Sequence, residues 1–236
     1  ALGYDARIGR RFLSAGLGYG GGCLPKDVRA FRATASALGV DSVVNLLTTV
    51  DAINLGRRDR TVALARETAD GTLRGARVAV LGIAFKPNSD DVRDSPSLDV
   101  CDRLVAEGAI VSVHDPVAMP NAAKKRPQLA YAPTVPAAAQ GADLVLHLTE
   151  WSDYQAIDPA ALARVVARRT IIDARCCLDT GLWSDAGWSV KVLGRPLSDR
   201  LHHVGQQHGP GHRADAAGHG RQPAGHVRHV RGDVAD

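Results

Sequence analysis

The chain has 236 residues, room for one or two domains, and its hydrophobic content of 45% is ample for a core although only 4% of residues are aromatic. The formal net charge of +4 and pI near 9.0 suit a phosphate-bearing small ligand, whereas no basic cluster is interleaved with aromatics as a nucleic-acid stacking surface requires. No apolar run approaches the ~18 residues of a membrane span, so neither nucleic acid nor membrane is expected as a partner.

Residues 1–23 read as the remnant of a short helix followed by a glycine-rich loop. Gly20-Gly21-Gly22 lets backbone approach a ligand closely, since no side chain stands in the way. Pro25 suits the first turn of a helix, which puts Cys23 beside a helix N-terminus with Lys26 near it. Both features favour thiolate over thiol, as a cysteine nucleophile requires; a buried, inert cysteine at a tight turn fits the same residues. From Asp27 to about Ala69 no proline interrupts a helical pattern whose apolar positions include Val28, Phe31, Ala35, Leu38, Leu46, Val50 and Ile53. Gly39-Val40-Asp41 is the expected break between two helices. A helix that long calls for a partner on its apolar face.

Strands are expected over 77–82, 110–114, 143–148, 170–173 and 189–193, the last near an edge. Helices are expected over 97–107, capped by Ser95 with Pro96 in its first turn, and over 160–167. Strand-helix alternation predicts an α/β fold with a parallel, doubly wound sheet that binds ligands at the carboxyl ends of its strands. Cys176 and Cys177 are adjacent, and no C-x-x-C spacing joins them to Cys23 or Cys101, so no metal site is expected and the four read as reduced thiols in a cytoplasmic protein. Residues 197–236 hold seven of the nine histidines and seven glycines with few apolar residues, which predicts a disordered tail.

Two stretches carry a resemblance. Tyr19-Gly20-Gly21-Gly22-Cys23-Leu24-Pro25-Lys26-Asp27 is close to (F/Y)-G-G-S-C-F-P-K-D, and the segment from Gly82-Ile83-Ala84-Phe85-Lys86-Pro87 through Asp90-Asp91-Val92-Arg93-Asp94-Ser95-Pro96 to G-x-A-F-K-P-x-x-D-D-x-R-x-S-P. Together they resemble the UDP-glucose/GDP-mannose dehydrogenase family. Asp5-Ala6-Arg7-Ile8-Gly9, Thr149-Glu150-Trp151 and Asp173-Ala174-Arg175 fall in the family's order, and the resemblance runs from about residue 2 to Pro196. The family's G-x-G-x-x-G turn has no counterpart here in the context of a strand opening into a helix, so the chain reads as the C-terminal part of a longer enzyme.

The resemblance implies NAD-dependent, two-step oxidation of UDP-glucose to UDP-glucuronate. GDP-mannose or UDP-N-acetylmannosamine oxidation, or a non-catalytic nucleotide-sugar-binding or dimerising remnant, are the alternatives. By resemblance Cys23 is the nucleophile that holds the intermediate aldehyde as a thiohemiacetal and then a thioester, and Asp27 positions or activates the hydrolytic water. Lys26 and Arg93 would meet NAD phosphates. Tyr19, Gly20, Gly21, Lys86 and Arg175 would meet the nucleotide sugar, and Arg7 the substrate of a neighbouring subunit. The residues alone leave open a solvated Lys26, a surface ion pair at Arg7 and a core position for Trp151. Gly22, Leu24 and Cys176 depart from the serine, phenylalanine and asparagine usual at their places. The implied organisation is a cysteine loop with central dimerisation helices (1–74), which would make a homodimer, a Rossmann-like nucleotide-sugar-binding domain (75–196), and the tail (197–236).

Overall fold

The computed structural model describes residues 2–5, 7–9 and 15–195. A 3-10 turn at Leu2–Tyr4 is the described part of the expected N-terminal helix, and residues 15–22 run as an open loop. Helix α1 (Leu24–Ala37) opens with Pro25 in its first turn and Cys23 at its N-cap. The break falls at 38–40, and α2 (Asp41–Thr68) follows with Asp41 in its first turn, where its charge opposes the helix dipole. The C-terminal half of α2 buries Val62 and Ala65, whereas its N-terminal half leaves Leu46, Val50 and Ile53 exposed.

Beyond α2 the chain alternates: β1 (Arg77–Leu81), α3 (Pro96–Ala106), β2 (Ile110–His114), α4 (Met119–Lys125), β3 (Ala130–Tyr131), α5 (Val135–Ala139), β4 (Leu144–His147), α6 (Ser152–Gln155), α7 (Pro159–Leu162), β5 (Thr170–Asp173), α8 (Thr180–Asp185) and β6 (Ser189–Val192). The strands form one parallel sheet in the order β3-β2-β1-β4-β5-β6, with Val78 beside Val111 on one side and Leu144 on the other. This is the doubly wound arrangement expected from the alternation. Its central strands are covered on both faces, which is why Val78–Leu81 and Leu144–His147 read as continuous buried runs rather than alternating ones.

Several elements differ from expectation: the short helices α4, α5, α6 and α8 were not among those expected. Strand β3 was not foreseen: it pairs only through Ser112↔Ala130 and Val113↔Tyr131, and two residues leave no periodicity to read. Helix α7 is shorter than 160–167. Asp158 caps it by accepting from Ala160 N at 2.9 Å, but the backbone then leaves the helix to bond the turn before β4, with Gly141 N donating to Val165 O (2.7 Å) and Ala167 N to Ala142 O (2.9 Å). Trp151 is buried in the core, where its indole N–H donates to Asp115 Oδ2 at 3.3 Å. The tail expected to be disordered lies outside the described residues.

Candidate functional site

The loop from Gly82 to Ser95 leaves the carboxyl end of β1, the central position in the sheet. Its backbone is held at both ends. Ser95 Oγ donates to Ile83 O (2.7 Å) and accepts from Leu98 N (3.3 Å), capping α3. Asp115, just past β2 and fully buried, accepts from Ile83 N (2.8 Å) and Ala84 N (3.0 Å) with one oxygen, and from Val117 N (3.1 Å) and Ala118 N (2.8 Å) with the other. Thr149 Oγ1 donates to Ala84 O at 2.8 Å. A buried carboxylate satisfied by this many donors fixes its neighbours firmly.

The glycine-rich loop lies on that frame. A Cβ at Gly21, which sits at φ +86, would come within 2.7 Å of the Phe85 ring, and one at Gly22 would run into the Arg93 guanidinium. Only glycine permits so close an approach. Arg29 of α1 pairs with Asp94 at 3.2 Å. Asn54, buried in α2, clasps the Tyr19 peptide: Tyr19 N donates to its Oδ1 (2.7 Å) and its Nδ2 donates to Tyr19 O (3.1 Å). Further along the sheet edge Arg175 pairs with Glu150 through contacts of 2.6 Å, and its guanidinium lies 3.0 Å from where a Cβ of Gly16 would be. Two motifs more than sixty residues apart therefore meet at the carboxyl end of one parallel sheet.

Cys23 is exposed at the N-cap of α1, with no side-chain capping bond, and its carbonyl accepts from Asp27 N at 2.9 Å. The residues left a buried, inert cysteine open at this position; the structure gives that environment to Cys101, whose thiol burial pushes far up. Cys177 is half-buried, and burial, with Asp173 and Glu150 adding, pushes its thiol up to about 12. All four cysteines are free. Lys26 Nζ lies 3.4 Å from Asp27 Oδ1, both side chains being exposed. Lys86 is exposed, with Nζ 5.2 Å from the Phe85 ring centroid. Arg93 Nε and Nη2 grip the Asp91 carboxylate at 3.0 and 2.7 Å, and this bond holds Asp91 below the usual carboxylate range against its burial. Asp90 instead accepts from Asn121 Nδ2 at 3.0 Å. Arg7 pairs locally with Asp5 at 2.6 Å, and no interaction among the described residues joins it to the glycine-rich loop.

Three buried polar residues that the sequence did not single out as site residues set this geometry: Asn54, Asp115 and His147. His147 Nδ1 lies 2.9 Å from Asp173 Oδ1, both groups being fully buried. Asp173 also accepts from the backbone N–H groups of Arg175 (2.9 Å), Cys177 (2.8 Å) and Leu178 (2.9 Å), and so pins the loop that carries Arg175. Burial pushes the Asp173 carboxyl up, but the His147 bond and these N–H groups outweigh it and hold it below the ordinary value. His147, Asp173 and Cys177 offer ligand atoms within 4.8 Å of one another. Because four N–H donors already occupy the Asp173 oxygens, the trio is a loop scaffold rather than a metal site.

Nor is the sheet's own crevice built for a dinucleotide. A Rossmann dinucleotide site uses a glycine-rich turn after β1 and a free carboxylate past β2; here one glycine, Gly82, turns the chain and Asp115 is committed to protein N–H groups. The exposed cations Arg93 and Lys26 fit a pyrophosphate presented from outside the sheet. A groove of about 510 Å³ between α2, α3 and α4 borders the same loop through Val92, Asp94 and Ser95, and is lined also by Arg58, Asp99, Asp102 and Arg126, paired as Arg58–Asp99 and Arg126–Asp102. No helix among the described residues is long and apolar enough to cross a membrane.

Residues 79–180 match the UDP binding domain of the UDP-glucose/GDP-mannose dehydrogenase family, and residues 1–55 match the central domain of the same family. The chain is 38% identical over 195 residues to a UDP-glucose 6-dehydrogenase of Rhizobium meliloti (strain 1021), a match covering 83% of this chain and 44% of that protein. It is 41% identical over 175 residues to the UDP-glucose 6-dehydrogenase AglM of Haloferax volcanii, covering 74% and 39%. The structure of a UDP-glucose dehydrogenase from Pyrobaculum islandicum superposes with a TM-score of 0.66 at 34% identity, covering 79% of this chain and 42% of that one. The chain thus spans less than half the length of these relatives.

Proposed function

The chain belongs to the UDP-glucose/GDP-mannose dehydrogenase family, and on that premise we propose that it supplies the cysteine loop, the dimerisation helices (within 1–74) and the UDP-sugar-binding sheet (75–196) of a cytoplasmic, NAD-dependent UDP-glucose 6-dehydrogenase. The observation that carries this reading is Cys23, exposed at a helix N-cap on a glycine loop that packs against the strand-end loop bearing Lys86 and Arg93.

Oxidising a primary alcohol to a carboxylate removes two hydrides, and the aldehyde between them must be kept. The Cys23 sulfur bonds to the aldehyde carbon while the carbonyl oxygen takes a proton, giving a thiohemiacetal. Loss of the second hydride, together with the hydroxyl proton, leaves a thioester, and water then attacks it, giving up a proton and releasing the acid with the sulfur as thiolate. NAD, when bound, would supply a hydride acceptor, one molecule for each of the two oxidations in turn; Arg93 and Lys26 are the cations of this chain that would hold its phosphates. Asp27 lies one helical turn past Cys23 and is exposed, so its carboxylate is available to take a proton from the attacking water. Lys86 and Arg175 would meet the diphosphate of the sugar nucleotide, Arg175 with its fork set by Glu150. Gly20 and Gly21, with the Tyr19 peptide fixed by Asn54, would present backbone to the sugar. Arg7, with no described tie to this site, is assigned to the substrate of a second subunit.

In the full-length enzyme, Cys23→Ser should lower UDP-glucuronate formation by at least roughly a thousandfold, because a hydroxyl is a far poorer nucleophile than a thiolate near neutral pH. Chromatographic assay of UDP-glucuronate checks this. Formation at the parent rate would remove Cys23 from its role.

A further inference from the structure

The Arg93 guanidinium is held by one edge only. Nε and Nη2 are engaged by Asp91, and Arg93's own backbone N–H donates to the same carboxylate at 2.9 Å. A Cβ at Gly22 would stand 2.4 Å from the guanidinium Cζ and 2.7 Å from both Nη1 and Nη2. Gly22 directly precedes Cys23, so the guanidinium as a whole lies against the peptide that presents the thiol. The fork is rigid and always charged, so the Asp91 clamp on one edge dictates where the other points. We propose that Arg93 is a positioning residue for Cys23: it sets a fixed positive charge beside the sulfur, and Gly22 is the residue that makes room for it. This rests on Cys23 as the nucleophile and adds to it a cation supplied by this chain.

The charge relation agrees. Arg93 is raised above its ordinary value by Asp91 first, and the charge of Cys23 contributes in the same direction. The other charged groups on the elements that meet here are Lys26, Asp27, Arg29 and Arg32 on α1, and Lys86, Asp90, Asp91 and Asp94 on the 82–95 loop. Asp94 is answered by Arg29, Asp27 by Lys26 and Asp91 by Arg93 itself.

The test reads the thiol directly. Iodoacetamide alkylation of Cys23 is followed at neutral pH and low salt by peptide mass spectrometry, with the exposed Cys176 of the same chain as internal reference. Arg93→Ala should slow Cys23 alkylation by roughly two- to fivefold, the effect of one nearby solvated charge, with Cys176 unchanged. Arg93→Lys should restore part of the rate. Gly22→Ser should reproduce the loss by displacing the guanidinium, and at about 1 M salt the differences should vanish. An Arg93→Ala rate equal to the parent's overturns the proposal. So does a loss that persists undiminished at high salt, which would mark a structural role. Retained oxidation in Cys23→Ser would instead defeat the nucleophile assignment, through a separate readout.

Discussion

Cys176 stands at φ +56 in the loop that carries Arg175. A Cβ in the left-handed region crowds its own backbone, at a cost of roughly 1–2 kcal/mol, and asparagine is among the few side chains that tolerate it. The thiol gains little in return, a 3.5 Å contact to Leu193 O. Cys176→Asn should therefore stabilise the chain by roughly 0.5–1 kcal/mol, read as a higher urea midpoint with an unchanged slope; an unchanged or lower midpoint would show that the thiol contact outweighs the strain. Cys176 was visible in the sequence as a departure from asparagine, but the reason the position wants asparagine is a backbone angle that composition does not show. Asn54 and Asp115 teach the complementary lesson. Asn54 falls between Ile53 and Leu55 in the apolar stretch of α2, and Asp115 directly follows β2, which buries Val111 and Val113. A polar residue forced into an apolar stretch must find partners, and each of these finds them in the backbone of a site loop. That signal was available, and it belongs to the packing rather than to any motif.

Elements long enough to show a period were legible: the two helices flanking Gly39 and the strands that became β1, β2, β4, β5 and β6. Those set by pairing partners were not, as β3 and the early end of α7 show, because their limits are fixed by hydrogen bonds to 112–113 and 141–142. The apolar period of α2 outruns what its own fold buries. Leu46, Val50 and Ile53, at i, i+4 and i+7, share one face and remain exposed, with Phe31 of α1 exposed as well. A run of large apolar side chains on a helix face marks an association surface, and the occupant proposed for it is a second copy of the same chain. On that proposal, replacing Leu46 and Ile53 together by aspartate should lower the mass in light scattering from dimer to monomer while leaving the sheet intact by circular dichroism. A mass unchanged by the double substitution would remove α2 from the interface.

At the scale of the whole molecule, the sheet places three exposed or half-exposed cations, Lys86, Arg93 and Arg175, on loops at the carboxyl ends of its strands, two of them already paired with Asp91 and Glu150. Lys86 has no carboxylate partner among the described residues, so it is the cation most available to a diphosphate. Phosphate charge alone does not separate uracil from guanine; a base preference requires backbone or side-chain groups at the strand ends to read the ring. The family match over 79–180 points to uracil. The chain should therefore bind UDP more tightly than GDP in calorimetry at matched salt. Binding should nonetheless be weak, because exposed cations with only part of their fork fixed offer a diphosphate little preorganisation. Lys86→Ala should weaken either nucleotide by roughly two- to fivefold, the range of an exposed ion pair, and no change would remove Lys86 from the site. Equal affinities for the two nucleotides would reduce the site to a phosphate reader and overturn the base assignment. A clear GDP preference would move the chain to the GDP-mannose branch of its family, with Cys23 keeping its chemistry and the strand-end loops reading a different base.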